Sequence, residues 1–474
     1  MHACTMEKAQ AQQQQQQQQR DSKSPRPFRV VVVGGGLVGL TAAHVLSRAN
    51  IDIVLLEQHE DLLPKVGSLI VLWPATFRIL RQLGLLEELR PHLFEVGDYE
   101  TINATDGSFL HVTKNFGGIW ERNLGYGLGC VSRSDFIDIL YRTLPEPVKA
   151  GIHLKKRVAS IEVRSDGVSV RCEDGTVEEG SVVIGADGVH SRTRQCMEEA
   201  MASNKPPAPK TPQDAESPYV SPYRGVIGNV PELPGLKPCS VYVAASQGVS
   251  VQLVVGNEGR AWWYLYEAQR PTRQRHRYTE KEIEETMDKH ADLHVAPGYQ
   301  LRDILALNVG DTGMFNFEEG RVSRWTQGGR VALVGDAVRK FNPHAGLGYN
   351  CGAGDVVELV NRLHRLLRTT SEELITTQML QDEFAQYEKT RKRYEKDVHT
   401  VSRMSVRNTA WLEWRHRLMA KWIMPFLPVT RWMLDFLLTP VVAREPVIEW
   451  LEETELPHGT KRWVHHPIPK VTGA

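Results

Sequence analysis

Six residues directly behind a β-branched run have the spacing of a phosphate cradle. Gly34-Gly35-Gly36-Leu37-Val38-Gly39 fits G-x-G-x-x-G, after the run ending at Val33 and ahead of a stretch with helical period. Glycines at Gly34, Gly36 and Gly39 let backbone N–H groups and the positive end of a helix approach a pyrophosphate. Glu57 ends the next apolar run, roughly 20 residues beyond the glycines, where a carboxylate accepts hydrogen bonds from both ribose hydroxyls and disfavours a 2′-phosphate. Phe28 to Glu57 is thus one βαβ unit holding an adenine dinucleotide, with FAD and NAD undivided at this point.

Other chemistries find no support. The six cysteines contain no C-x-x-C pair, which fits reduced thiols in an intracellular protein and gives no zinc spacing, so no metal site is expected. No histidine pairs with a serine or cysteine and an acid at a recognisable spacing. Lysine plus arginine and aspartate plus glutamate both total 57, so no global field exists to hold nucleic acid.

The elements that must position these residues come from 474 residues, 41% hydrophobic, enough for more than one structural unit. Residues 1–26 carry a polyglutamine tract from Gln12 to Gln19 and read as a disordered leader. Val158–Val163 and Val168–Cys172 alternate like paired strands about Ser165-Asp166-Gly167, and Ser181–Ile184 reads as another buried strand. Ser203–Pro222 carries six prolines and reads as an exposed boundary loop. From Tyr223 to about Phe317, Val, Trp and Tyr with glycine breaks predict an antiparallel sheet with one buried face. Helices are expected from about Leu347 to Leu367 and along Leu380, Phe384, Tyr387 and Tyr394. The expected division is 27–202 with 318–400 for the dinucleotide-binding part, 203–317 for a substrate domain, and 401–474 for a helical C-terminal region.

Ile184-Gly185-Ala186-Asp187-Gly188-Val189-His190-Ser191 and Leu333-Val334-Gly335-Asp336-Ala337, continuing through Pro343-His344-Ala345-Gly346-Leu347-Gly348-Tyr349-Asn350, resemble the D-G and G-D motifs of class A flavoprotein monooxygenases of the aromatic-hydroxylase type. The resemblance implies an α/β fold (α+β overall), with a Rossmann-like FAD-binding domain, an inserted mixed β-sheet substrate domain and a helical C-terminus. It implies bound FAD, with Asp187 in the D-G motif, Asp336 at the ribityl hydroxyls and Gly346 to Asn350, including Gly348 and Tyr349, beside the isoalloxazine, where a helix N-terminus suits reduced flavin. Arg133 matches the family arginine that reaches FAD, and Val158 the strand position along the adenine. NADPH or NADH then serves as transient reductant, and one atom of O2 passes to substrate.

A fungal branch that epoxidises prenyl chains in indole-diterpene and meroterpenoid biosynthesis is similar over nearly the whole chain. Lys65 to Pro74 resembles that branch's K-V-G-A-S-I-G-L-x-P-N loop, implying flavin contacts at Gly67 and Val71, although Val71 replaces a glycine and Tyr349 a small residue. Arg339 stands where the usual G-D motif has histidine. Tyr223, in Tyr-Arg-Gly-Val-Ile-Gly, matches a tyrosine assigned to the active site, and Arg224 an arginine that orients a phenolate in wider-family hydroxylases. Trp262, Trp263, Tyr264 and Tyr266 are candidates for lining a cavity that takes a small hydrophobic prenylated or aromatic substrate. The alternatives are a phenol hydroxylase, a flavin oxidase or dehydrogenase, and a non-catalytic flavin-binding membrane adaptor. Trp411, Trp414, Trp422, Trp432 and Trp450 lie among apolar and basic residues, a composition for peripheral contact with an ER-like membrane or for a helical cap on a cytoplasmic enzyme. No run reaches the roughly 18 uncharged apolar residues of a membrane span.

Overall fold

A computed structural model of the chain describes residues 27–63, 68–202, 217–309, 312–453 and 456–468. The polyglutamine leader, Gly67 and most of the proline-rich segment lie outside the described residues. Strand Arg29–Val33 pairs in parallel with Asp52–Leu56 on one side and Val182–Gly185 on the other. Its valines are buried on both faces, which is why the run reads as continuously apolar rather than alternating. Each such side chain contributes about 1.5–3 kcal/mol relative to exposure. Val331–Leu333 extends the parallel sheet beyond Val182–Gly185, and Ile152–His153 extends it beyond Asp52–Leu56. Thr326–Gln327 adds an antiparallel edge. Val158–Val163 and Val168–Cys172 pair antiparallel as their alternation predicts, with Val177–Gly180 as third strand.

Helices Leu37–Arg48 and Gly348–Thr369 cross close together: a Cβ at Gly352 would stand 2.6 Å from Val38 Cγ2. The second matches the helix expected near Leu347–Leu367. Helix Thr377–Thr409 buries Leu380, Phe384 and Tyr387 along its inner stripe.

The second sheet has eight strands, in the order Arg339–Lys340, Gly313–Arg321, Val220–Val230, Ala261–Thr272, Val249–Val255, Val241–Ser246, Tyr99–Asn103 and Phe109–Thr113. Between Tyr223 and Phe317 the strands of this sheet pair antiparallel as expected, and the parallel pairing of Val241–Ser246 with Tyr99–Asn103 from outside that stretch makes the whole sheet mixed. One expectation is corrected here. Both faces are buried rather than one. Tyr223, Trp262, Tyr264 and Tyr266 pack into a cluster with Leu69, Trp73, Phe341 and Leu347. Val226, Trp263 and Leu265 pack on the other side with Leu301 and Ile304, beneath helices Glu280–His290 and Leu301–Ala306. The proline-rich segment also ends earlier than expected, because Val220, Ser221 and Pro222 already belong to a strand.

Past Ala410 the chain forms short helices Trp414–Leu418, Leu427–Trp432 and Thr439–Val442, with π-helical turns at Met419–Ile423 and Met433–Leu438. Among the described residues no helix is long and apolar enough to cross a membrane.

Candidate functional site: a dinucleotide cleft and an aromatic sheet face

The first glycine turn is built by close approach. Gly34 has φ +106° and donates its N–H to Leu56 O at 2.8 Å, and a Cβ at Gly39 would lie 1.9 Å from Gly34 O. Only glycine fits at position 39, where strand and helix meet. At Gly36, the N-cap of Leu37–Arg48, a Cβ would meet nothing within 4 Å, so the helix end faces open space. That space is a cavity of about 1620 Å³ lined by Gly34 to Gly36, Glu57, Arg133, Val158 and Asp187, among others.

Glu57 is buried, taking the Gly35 N–H at 2.6 Å on one oxygen and His59 N and Nδ1 at 2.8 and 2.7 Å on the other. Asp187 accepts from Thr193 N and Oγ1 at 2.8 and 3.0 Å, while its second oxygen is buried without a partner. Burial pushes its carboxyl above the ordinary value, opposed by hydrogen bonds from Ser191 and Thr193. The Arg133 side chain lines the cleft; enclosure by the protein lowers its affinity for a proton, and the Asp336 carboxylate nearby raises it.

Asp336 sits on the 3-10 turn Gly335–Ala337, its carboxylate paired with Lys340 and 3.8 Å from where a Cβ at Gly348 would be. Gly346 has φ +62°, and a Cβ there would stand 2.6 Å from Val71 Cβ. Glycine is therefore dictated twice at this turn, by its left-handed conformation and by the valine facing it. Asn350 locks the arrangement. Its amide donates to Val71 O at 2.8 Å and Gly346 O at 2.7 Å, and its oxygen accepts from Trp73 N at 2.9 Å and Thr76 Oγ1 at 2.6 Å.

Tyr349 points the other way: its hydroxyl meets Thr41 Oγ1 at 3.0 Å and its ring lies edge-on to Phe136. It packs behind the helix and presents backbone, not phenol, to the turn. Arg339 is likewise turned inward, fully buried, with NH2 2.8 Å from Asp355 and 3.0 Å from Cys351 O. Asp355 also takes the Gly335 N–H at 3.0 Å and Arg391 at 2.7 Å, and Arg391 pairs with Glu445 at 2.7 Å. The arginine in the histidine position therefore acts on the G-D turn from below through Asp355.

Tyr223 and Arg224 are separated by strand parity. Tyr223 is fully buried on the face toward Leu347, its hydroxyl has no partner, and burial pushes it up to about 12. Arg224 faces the opposite side and donates to Glu267 at 2.7 Å, a carboxylate shared with Lys289 and His290. The structure does not bring Arg224 to Tyr223. Trp263 is removed from the candidate cavity lining for the same reason, whereas Tyr264 accepts the Leu69 N–H at 2.9 Å and Tyr266 lies 5.0 Å from Phe317.

Spacing in the sequence does not single out His344, in the loop before Gly346. Its ring bonds Ser405 Oγ at 2.7 Å and Thr409 Oγ1 at 3.2 Å, and burial lowers it to about 4, so it is neutral at pH 7.

The open helix N-terminus at Gly36 and the orphaned Asp187 oxygen fit a bound dinucleotide. The sequence matches the FAD binding domain family over residues 28–393. It is 32% identical over 428 residues to the FAD-dependent monooxygenase srdH of Neurospora crassa, covering 88% of this chain and 94% of that one. It is 30% identical to the FAD-dependent monooxygenase ausM of Penicillium brasilianum, covering 84% and 82%. The fold resembles FAD-complexed HpxO of Klebsiella pneumoniae, with TM-score 0.69 and 19% identity over 87% of this chain and 99% of that one. A salicylate hydroxylase substrate complex gives TM-score 0.66 and 20% identity over 88% and 98%. The chain belongs to the class A FAD-dependent monooxygenases. FAD is its cofactor, and it is an enzyme of the flavin monooxygenase kind.

Proposed function

We propose that the protein is a monooxygenase of fungal secondary metabolism that epoxidises a prenyl side chain, using NADPH or NADH as reductant. FAD, when bound, supplies the activation of O2 that the side chains cannot. In this reading Gly34, Gly36 and Gly39 admit its pyrophosphate, Glu57 takes the ribose, Arg133 and Asp187 line its path, and Asp336 takes the ribityl hydroxyls. Val71, Gly346, Gly348 and the backbone of Tyr349 form the wall beside the ring, and Tyr223 contacts the substrate.

The observation that carries the choice of reaction is the character of the sheet face toward Gly346. It presents Tyr223, Tyr264, Tyr266 and Phe317, the loop histidine beside it is held neutral with both nitrogens engaged, and Arg224 is turned away. Phenol hydroxylation gains from a group that ionises the phenol, whereas addition of oxygen to an alkene needs no base on the substrate. An apolar wall also excludes water from the reacting oxygen.

Incubation of FAD-loaded enzyme with NADPH, 18O2 and a prenylated aromatic is expected to give one labelled oxygen on the prenyl chain. Label on the ring would replace epoxidation by aromatic hydroxylation, and product without label would indicate an oxidase or dehydrogenase. Since such a substrate partitions into lipid, the reading includes an intracellular enzyme in peripheral contact with a membrane.

A further inference from the structure

The C-terminal helices between Trp414 and Val442 have two unlike faces. Inward, Leu434 and Val442 join the cluster that contains Tyr223 and Tyr266. Asp435 anchors this side, accepting from Arg122 at 2.5 Å and Asn123 at 2.8 Å. Outward, Trp414 is 77% exposed, Trp422 69%, Phe426 62%, Phe436 57% and Trp432 53%. The chain has eleven tryptophans, and among the described residues Trp414, Trp422 and Trp432 are the exposed ones. Trp411 is buried, and Trp450 stacks on His364 and donates to Arg48 O, so neither belongs to the patch.

Charge decides what covers this face. Residues 413–443 carry Arg415, Arg417, Lys421 and Arg431 against two acids, Glu413 and Asp435, in a chain whose formal charges sum to zero, and Glu413 pairs with Arg415 at 2.7 Å. Asp435 is already held by Arg122. Lys461 lies 4.6 Å from the ring of Phe436 in the patch, and Arg417 and Lys421, from the segment that carries Trp414 and Trp422, lie 5.6 and 5.1 Å from the buried Trp411 ring. A second copy would bring these cations against their own kind, which is repulsive. Aromatic rings that are half apolar and half wet, among basic residues and on helices too short to span, suit the headgroup layer of a bilayer.

We propose that this face docks on an anionic phospholipid surface, with Trp414, Trp422, Phe426, Trp432 and Phe436 entering the headgroup layer and Arg415, Arg417, Lys421 and Arg431 against lipid phosphates. It rests on the membrane part of the reading above and names the partner and the surface. The helices that touch lipid on one side pack Leu434 and Val442 into the aromatic cluster on the other, so the docking face lies behind the substrate side of the sheet.

The test is flotation of the FAD-loaded full chain with phosphatidylcholine vesicles, with and without phosphatidylserine, and needs no turnover. Phosphatidylserine is expected to raise the bound fraction by about tenfold or more, with a blue shift of tryptophan emission and weakening by salt. The combined variant Trp414→Ser, Trp422→Ser and Trp432→Ser is expected to lose binding while keeping its flavin spectrum and melting temperature, and Lys421→Glu with Arg431→Glu to lose only the phosphatidylserine preference. Equal binding to both vesicles overturns the anionic-lipid assignment. No flotation with either, or a dimer in sedimentation that the tryptophan variant dissociates, overturns the proposal in favour of a protein interface. A failure of epoxidation with vesicle binding intact bears on the reaction alone.

Discussion

Asn350 ties the Gly346 turn to the strand carrying Val71 and to the helix that starts at Pro74, and its removal is a sharp test of how that wall is held. Asn350→Ala deletes four hydrogen bonds, two buried and two partly buried. At a net value near 1 kcal/mol each, the loss is about 4 kcal/mol. The unfolding entropy of a 474-residue chain is about 1 kcal/mol per kelvin at the usual per-residue value, so the melting temperature is expected to fall by about 4 °C. Thr76→Val removes one of the four donors and is expected to cost about 1 kcal/mol, hence about 1 °C. Differential scanning fluorimetry on FAD-loaded protein reads both, and the flavin absorption band of Asn350→Ala is expected to shift as the wall loosens. A melting temperature of Asn350→Ala within about 1 °C of the parent, with an unshifted band, would refute the clamp.

Four further outcomes follow from the same geometry. Gly39→Ala puts a methyl group 1.9 Å from Gly34 O and is expected to abolish FAD retention through gel filtration. Glu57→Gln, judged by FAD fluorescence titration, is expected to weaken binding by about tenfold or more through loss of a charged acceptor. Tyr223→Phe removes a buried hydroxyl without a partner, so stability is expected to hold or rise while oxygenated product per NADPH consumed falls; unchanged coupling would remove Tyr223 from the substrate. His344 binds a proton at about 4 when folded and at 6.5 when unfolded, so the unfolded state takes up protons first as pH falls. Stability is therefore complete above pH 6.5 and declines toward pH 4 by up to about 3 kcal/mol, a slope that His344→Gln is expected to flatten in denaturant titrations.

The parts of the fold that can be read from sequence are those whose signals are local. The βαβ unit announces itself because strand, glycine turn, helix and carboxylate fall within thirty residues, from Phe28 to Glu57, and the helix after Gly348 because its turn and periodicity adjoin. Face and partner are harder. Tyr223 and Arg224 are neighbours on one strand, so period-two geometry alone says that only one of them faces the flavin side; Trp262 and Trp263 carry the same unused signal. The burial of both faces of the large sheet depends on helices Glu280–His290 and Leu301–Ala306 folding back over it, which composition does not announce. Arg339 shows the limit most clearly: its partner Asp355, and through Asp355 the Arg391–Glu445 pair, lie in separate stretches of the chain with no common motif, so its turning inward is visible only in three dimensions.

That network also sets the order in which the chain can become a finished protein. Arg391 is buried between Asp355 and Glu445, and a buried guanidinium stripped of one carboxylate costs about 3–5 kcal/mol. During synthesis the strands and glycine turns of the flavin cleft emerge long before residue 445, so until then Arg339 and Arg391 have only the Asp355 carboxylate to share between them. The family match ends at residue 393, yet a chain shortened there keeps Arg391 and discards its second counterion. The stretch that matches the FAD binding domain family and the unit that folds therefore have different ends in this enzyme.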